Sequence, residues 1–263
     1  MAQLLLRGEP IGEPDQPILA VLFDKDGTLS ISEPMLHALA EARVFHCVRL
    51  LGEHHPEVAP GVMGELDDLL RRAYGLGDGG VHPAGTTAVA SRQHNLISTA
   101  TALAQVGLGW PEALALSEAV FESTDALHGT GSAHKPVATA GLHDLVERLA
   151  TAGLLCAVIS NDEVAGIEAF LDSQGIAQHF QAYWSAEHTP KKPDPAAVHA
   201  LCHELGVGAE ACALIGDANS DLRMARAAGL PVVLGYTAAW SQRPPLDPSF
   251  LQLHHWNELD LRP

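Results

Sequence analysis

The sequence has few basic residues, few aromatic residues and no long apolar run. Its 15 Lys and Arg stand against 32 Asp and Glu, which gives a formal net charge of −17 at pH 7. This charge repels phosphate backbones and anionic membrane surfaces, so we expect neither a nucleic-acid partner nor a membrane partner. No apolar run approaches the roughly 18 residues of a membrane-spanning helix, and Leu4-Leu5-Leu6 is too brief for a signal-peptide core.

Cysteine and charged residues are also scarce. The four cysteines lie far apart in the sequence and form no CxxC pair. Two of them, Cys156 and Cys212, lie inside apolar runs, which favours buried free thiols and a reduced, cytoplasmic protein. Only 18% of the residues are charged and 47% are hydrophobic, which excludes disorder as the dominant state.

Three short apolar runs predict buried strands. They cover residues 18–23, 154–159 and 212–215, and each is followed by polar residues, beginning with Asp24, Ser160 and Gly216-Asp217. Continuous apolar runs of this length are typical of parallel strands that are covered on both faces. Helical patterns alternate with the later runs, and Asp194-Pro195 indicates a cap followed by the first residue of a helix. The sequence therefore predicts an α/β fold with a doubly wound parallel sheet. In such sheets ligands bind at the carboxyl ends of the strands.

The segment between residues 32 and 133 breaks this alternation. It shows helical periodicity without a convincing strand, and we predict four helices over residues 35–51, 62–74, 86–106 and 111–127. We therefore expect two domains. Residues 1–31 and 134–263 form a Rossmann-like core, and residues 32–133 form a helical insert after the first core strand.

Two carboxylates follow the first predicted strand in the segment Asp24-Lys25-Asp26-Gly27-Thr28. Carboxylates at this position are costly unless a cation neutralises them, and oxygen ligands suit Mg²⁺. Gly27 permits a tight backbone where the chain leaves the sheet. An acidic turn of this kind also occurs without any function, so the segment needs support from elsewhere in the chain.

Three further segments supply that support. They are Ser160-Asn161, Lys191-Lys192-Pro193-Asp194-Pro195 and Gly216-Asp217-Ala218-Asn219-Ser220-Asp221. The chain has only four lysines, and three of them fall inside the four segments. Each segment alone is a weak signal, but the ordered set is specific.

Together the four segments resemble the haloacid dehalogenase-like superfamily of phosphohydrolases. The resemblance covers most of the chain, and the helical insert looks like the cap of phosphoglycolate phosphatase-like members. It implies that Asp24 is the nucleophile that forms an aspartyl-phosphate and that Asp26 is the general acid and base. Dehalogenases lack this second aspartate, so Asp26 favours a phosphatase.

The resemblance also implies a metal site. Asp24, Asp217 and the backbone carbonyl of Asp26 are expected to hold Mg²⁺, which offsets the repulsion between carboxylate and phosphate. Asp221 is expected to be either a further ligand or a partner of the ligands.

Ser160 and Lys192 are expected to hold the phosphoryl oxygens, together with Thr28 and Asn161. The family pattern Lys-Pro-x-Pro selects Lys192 and leaves Lys191 solvated. We assign no role in the site to Lys25.

The cap residues are less specific. In the predicted helix 86–106, Thr87, Ser91 and Asn95 recur every four residues and form a polar stripe. Arg92 lies next to this stripe on the helix surface. We expect this stripe to face either the substrate, with Arg92 and Asn95 as substrate contacts, or solvent.

These expectations converge on a Mg²⁺-dependent phosphomonoesterase that acts on a small phosphorylated metabolite, with phosphoglycolate as the first candidate. A phosphosugar mutase of the same superfamily is an alternative, because it keeps both aspartates. A non-catalytic binding protein on this fold is a further alternative, although the chain keeps all four of Asp24, Asp26, Lys192 and Asp217. The sequence does not indicate the oligomeric state.

Overall fold

The computed structural model describes residues 3–13, 15–77, 80–129 and 136–262, without the side chains of residues 126–129. The Cα positions divide the chain into two compact units. The core unit combines the described residues up to 31 with those from 136 onward, and the helical unit begins at residue 32. The predicted boundary between residues 133 and 134 lies outside the described residues.

The core unit contains a six-stranded parallel sheet, which confirms the predicted fold class. Its strands are β3 Ala20–Phe23, β8 Leu155–Ile159, β9 Phe180–Trp184, β10 Cys212–Gly216, β11 Val232–Tyr236 and β12 Leu251–Leu253. Their order in the sheet is β12-β11-β10-β3-β8-β9.

The sequence explains why β3 lies near the centre of this sheet. All four of its residues are buried, because a strand lies on each side of it and Ala20 and Leu22 belong to one buried apolar cluster with Leu201 and Met224. The helices of this unit are α6 Leu142–Thr151, α7 Val164–Ser173, α8 Pro195–Glu204 and α9 Asn219–Ala227. Helix α8 begins as predicted, since the side chain of Asp194 accepts a hydrogen bond from the amide of Ala196 at 2.9 Å and Pro195 is the first helical residue.

Several strands of the core unit were not predicted. A second, three-stranded sheet pairs β1 Gln3–Leu6 antiparallel with both β2 Glu9–Pro10 and β13 Leu259–Arg262. The two-residue strands β4 Ser30–Ile31 and β7 Val137–Ala138 pair antiparallel where the chain leaves and re-enters the core unit. Strands this short carry too little periodicity to be recognised in a sequence.

The helical unit contains α1 Glu33–His54, α2 Pro60–Tyr74, α3 Thr86–Val89, α4 Arg92–Gln105 and α5 Trp110–Gly129. Its core is built from one apolar face of each long helix, with Val44, Leu70, Leu103 and Phe121 all at 1% exposure or less. The expectation of no strand in this segment is wrong, since β5 Leu76–Gly77 and β6 Gly80–Val81 form a short hairpin.

The prediction of one helix over residues 86–106 is also wrong. The chain leaves the helical conformation at Ala90 and Ser91, and the side chain of Ser91 caps the new helix α4 by accepting from the amide of His94. Asn95 stabilises the break, because its side-chain amide donates to the carbonyl oxygens of Thr86, Ala90 and Ser91 at 3.0–3.2 Å. The predicted polar stripe therefore does not form a continuous exposed face.

Among the described residues, no helix combines the length and apolar character that are needed to span a bilayer.

Replacing Asn95 by Ala is expected to lower the free energy of unfolding by about 1–2 kcal/mol, because buried carbonyl oxygens at the break lose their donor. Urea unfolding followed by circular dichroism measures this change. Gln93→Ala is the matched control, since it removes an exposed side-chain amide from the same helix. Equal effects of the two substitutions would contradict the role of Asn95 at the break.

Candidate active site

The carboxyl ends of three neighbouring strands bring three of the motif segments together. Asp24 follows β3, Ser160 follows β8, and Asp217 follows β10. The register aligns these ends, because Phe23 pairs with Ile215 on one side and with Val158 on the other. Polar side chains that follow the strands therefore emerge at one edge of the sheet.

Three buried carboxylates form a cluster at this edge. Asp24, Asp217 and Asp221 each place one carboxylate oxygen within 4.8 Å of the other two. Lys192 is buried beside them, with its Nζ 2.6 Å from Asp24 Oδ1 and 2.9 Å from Asp221 Oδ1. The same Nζ donates to the carbonyl oxygen of Ile159 at 3.1 Å, so the ammonium group is held from three sides.

The cluster has an excess of negative charge. Burial, with a smaller contribution from the Asp221 carboxylate, raises the pKa of Asp24 to about 6 against the opposing effect of Lys192. Burial, followed by the charges of Asp24 and Asp221, raises the pKa of Asp217 well above its usual range. Three carboxylates outnumber the one ammonium group. Their oxygen atoms form a donor set that could hold a divalent cation.

Trp240 is a residue of this site that the sequence did not indicate. Its indole Nε1 donates to Asp217 Oδ2 at 2.6 Å, and Thr28 Oγ1 donates to Asp217 Oδ1 at 3.3 Å. The two donors fix both oxygens of the Asp217 carboxylate. Trp240 lies in the loop after β11, outside every motif, and no pattern in a single sequence connects it to Asp217.

Gly27 makes this approach possible. It adopts a positive φ of 84°, and a Cβ atom at this position would overlap the Asp217 carboxylate and lie 2.5 Å from Trp240 Nε1. A residue with a side chain would displace the carboxylate or the indole.

The expected phosphate-binding residues lie around the same strand ends. Ser160 is buried, and its Oγ accepts a hydrogen bond from the amide of Asp162 at 3.1 Å. Asn161 is half-buried beside it. Thr28 is fully buried, and its hydroxyl is directed to Asp217. Their contacts with a phosphoryl group stay a prediction.

Asp26 lies apart from the carboxylate cluster, which in the described part of the chain comprises Asp24, Asp217 and Asp221. Its side chain is 24% exposed, and its Oδ1 accepts from Lys25 Nζ at 2.7 Å and from Ser30 Oγ at 3.2 Å. The expected metal contact of Asp26 concerned its backbone carbonyl oxygen, and it stays a prediction. Lys191 is exposed, in contrast to its neighbour Lys192.

The two expected cap contacts lie in the helical unit and already have partners there. Arg92 Nε donates to Asp125 Oδ2 at 2.6 Å, and its guanidinium lies 5.3 Å from the centre of the Phe121 ring. Asn95 is 3% exposed, and its amide nitrogen is used at the helix break. A substrate contact by either residue stays a prediction from the sequence alone.

Comparison with known proteins identifies related sequences. A family model for haloacid dehalogenase-like hydrolases matches residues 18–229. The phosphoglycolate phosphatase of Rhodospirillum rubrum is 29% identical over 224 residues, which is 82% of this chain and 78% of that protein. The phosphoglycolate phosphatase of Mesorhizobium japonicum is 32% identical over 101 residues, which is 37% of this chain and 44% of that protein. The second match thus spans less than half of the relative.

Solved structures share the fold at lower identity. A predicted phosphoglycolate phosphatase from Haemophilus somnus matches with a TM-score of 0.59 and 18% identity, over 89% of this chain and 93% of that chain. A 2-haloacid dehalogenase from Pseudomonas syringae matches with a TM-score of 0.53 and 23% identity, over 92% of this chain and 96% of that chain. Since differently named enzymes share this architecture, the fold alone does not decide the reaction.

The raised pKa of Asp24 predicts a specific pH dependence of stability in metal-free protein. The native state binds a proton at Asp24 more tightly than the unfolded state does, so this residue destabilises the fold as the pH rises from about 4 through about 6. Asp24→Asn removes this titration. Between pH 5 and pH 7.5 the unfolding free energy of the variant is expected to rise relative to wild type by on the order of 1 kcal/mol. Urea unfolding in the presence of a chelator measures it, and a difference that is constant with pH would contradict the assignment.

The hydrogen bond from Trp240 predicts an effect on cation binding. Trp240→Phe keeps an aromatic ring but removes the donor that orients Asp217, so the affinity for Mg²⁺ is expected to fall by about tenfold or more. Titration calorimetry with MgCl₂ measures the dissociation constant. Trp110→Phe is the control, because it makes the same substitution at an exposed position on α5, in the helical unit. Unchanged Mg²⁺ affinity in Trp240→Phe would exclude the orienting role.

Proposed function

The chain belongs to the haloacid dehalogenase-like hydrolases, and from this membership we propose that it is a Mg²⁺-dependent phosphomonoesterase acting on a small phosphorylated metabolite. The observation that carries the proposal is the separation of two carboxylates. Asp24 belongs to the buried cluster, whereas Asp26, two residues later, lies outside it and is partly exposed. A nucleophile and a separate acid and base are what hydrolysis of a phosphate ester through a covalent intermediate requires.

Asp24 is the proposed nucleophile. The hydrogen bond from Lys192 engages Oδ1, and we assign the attack on phosphorus to the other oxygen, Oδ2. With a pKa of about 6, Asp24 is mostly ionised at neutral pH, as an attacking carboxylate must be. The attack forms an aspartyl-phosphate, and hydrolysis of that intermediate regenerates the carboxylate.

Asp26 is the proposed acid and base. In the first step its proton goes to the oxygen of the leaving alcohol as the bond from phosphorus to that oxygen breaks. In the second step the ionised Asp26 accepts a proton from the water that attacks the phosphorus of the aspartyl-phosphate. The proton is returned to Asp26, so one cycle consumes the ester and one water.

Asp24, Asp217 and Asp221 are the proposed side-chain ligands of Mg²⁺, with the backbone carbonyl oxygen of Asp26 as a further ligand. The fit is supported by three clustered, buried carboxylates whose charge Lys192 balances only in part. Bound Mg²⁺ would supply positive charge that reduces the repulsion between the carboxylate nucleophile and the phosphoryl group.

Lys192 and Ser160 are the proposed holders of the phosphoryl oxygens. The Lys192 ammonium lies 2.6 Å from the Asp24 carboxylate, and the Ser160 hydroxyl lies at the end of the adjacent strand. We include Thr28 and Asn161 in this group because both follow the same strand ends. The hydrogen bond from Thr28 to Asp217 gives Thr28 an additional role in orienting that carboxylate.

Phosphoglycolate is the first candidate substrate, because relatives that bear this activity in their names include one that matches over 82% of the chain. We also propose that the helical unit is the cap that the family resemblance implied. The alternative activity, a phosphosugar mutase, returns the phosphoryl group to a sugar. Inorganic phosphate released from 2-phosphoglycolate supports the phosphatase, whereas an isomerised hexose phosphate without phosphate release supports the mutase.

Asp24→Asn is expected to reduce kcat for phosphate release to below about 1% of wild type while the fold is retained, since an amide cannot accept the phosphoryl group. Phosphate release from 2-phosphoglycolate in MgCl₂ is the assay, and circular dichroism checks the fold. Asp172→Asn makes the same chemical change at an exposed position on α7 and is expected to keep full activity. Retention of more than a few per cent of kcat by Asp24→Asn would exclude it as the nucleophile.

A further inference from the structure

Lys25 is a buried cation between the two aspartates of the first motif. Its side chain is only 3% exposed, and its Nζ lies 2.7 Å from Asp26 Oδ1 and 3.0 Å from Asp162 Oδ2. Burial of an ammonium group is costly unless it is paired, and here two carboxylates from different loops pair with it. Lys25 therefore connects the loop after β3 with the loop after β8.

The contact with Asp26 limits the orientation of that carboxylate. Asp26 Oδ1 accepts from Lys25 Nζ and also from Ser30 Oγ at 3.2 Å. Ser30 is itself held, because its Oγ lies 3.2 Å from the carbonyl oxygen of Lys25 and its amide donates to the same oxygen at 2.9 Å. Because two donors hold Oδ1 of Asp26, they also limit the positions that the other carboxylate oxygen, Oδ2, can take.

Asp162 provides the fixed end of the bridge. It directly follows Ser160-Asn161, and its amide donates to Ser160 Oγ at 3.1 Å. Its carbonyl oxygen accepts from the amide of Ala186 at 2.8 Å, and its Oδ1 accepts from the amide of Glu163 at 2.8 Å. The contact with Glu163 holds the Asp162 carboxylate itself, and the other two hold the main chain that carries it, all without help from Lys25.

We propose that Lys25, anchored on Asp162, is a positioning residue that holds the Asp26 carboxyl group where it can transfer its proton to the leaving alcohol. The proposal rests on the proposed phosphatase function and adds to it a residue that the family motifs do not assign. Proton transfer requires the acid within hydrogen-bond reach of the leaving oxygen, so a carboxyl group that is free to rotate is a poorer acid. Lys25 itself gains and loses no proton in the cycle.

The proposal has a consequence that a purely structural ion pair does not have. A phenolate leaving group with two nitro groups departs without protonation, whereas unsubstituted phenolate is far more basic and depends on the acid. Loss of Lys25 should therefore slow the hydrolysis of poor leaving groups selectively. An ion pair that only stabilises the fold would affect all leaving groups alike.

The test compares kcat/KM for phenyl phosphate, 4-nitrophenyl phosphate and 2,4-dinitrophenyl phosphate. This ratio reports the steps up to the release of the phenol and excludes the later hydrolysis of the aspartyl-phosphate. Lys25→Met is expected to lower kcat/KM about 10- to 100-fold for phenyl phosphate and less than about 3-fold for 2,4-dinitrophenyl phosphate. Lys25→Arg keeps the charge and is expected to restore most of the loss for phenyl phosphate.

Two further variants make the result independent of the folding of Lys25→Met. Asp162→Asn leaves Lys25 and Asp26 intact but weakens the anchor, and it is expected to show the same selectivity with a smaller loss. Lys191→Met removes the exposed lysine instead, and its dependence on the leaving group is expected to match wild type.

Equal losses for all three esters in Lys25→Met, or an unchanged leaving-group dependence in Asp162→Asn, would overturn the positioning role while the proposed phosphatase function stands. If the wild-type protein released phosphate from none of the three esters and from no other monoester in MgCl₂, both proposals would fail together. The two failures are therefore distinguishable.

Discussion

The contact between Lys192 and the carboxylates of Asp24 and Asp221 is the interaction on which the rest of the site depends. Without this ammonium, three carboxylates would share a buried space with no opposing charge, and their repulsion would favour protonation or separation. With it, the site is stable enough to form and still negative enough to attract a divalent cation. The sheet makes this compromise possible, because parallel strands bring distant parts of the chain to one edge.

The surrounding residues fix the orientation of the carboxylates rather than balance their charge. Trp240 and Thr28 each fix one oxygen of Asp217, and Gly27 supplies the space in which the indole and the carboxylate meet. Lys25 contacts the carboxylate of Asp26, which lies outside the cluster. The two aspartates of the first motif thus occupy different electrostatic environments although one residue separates them, and this difference supports the different chemical roles proposed for them.

The sequence was sufficient to predict the parts of the fold that depend on local pattern. The buried strands that precede Asp24, Ser160 and Asp217, and the Asp194 cap of α8, follow from apolar runs and capping rules. The contact of Trp240 with Asp217 was not predictable, because the two residues are 23 positions apart and Trp240 lies in a loop without periodicity. The break before α4 was missed because the Asn95 side chain hydrogen-bonds to the carbonyl oxygens at the break, whereas periodicity alone favours one continuous helix.

The antiparallel pairing of β4 with β7 has a consequence for how the chain tolerates change. Ser30 pairs with Ala138 and Ile31 with Val137. Strands of the core unit therefore hold together the two points at which the inserted segment begins and ends. The entropy cost of closing a loop grows only with the logarithm of its length, so inserts of very different size would cost the core nearly the same. The core can therefore keep its reaction chemistry while the inserted segment is lengthened, shortened or exchanged during evolution.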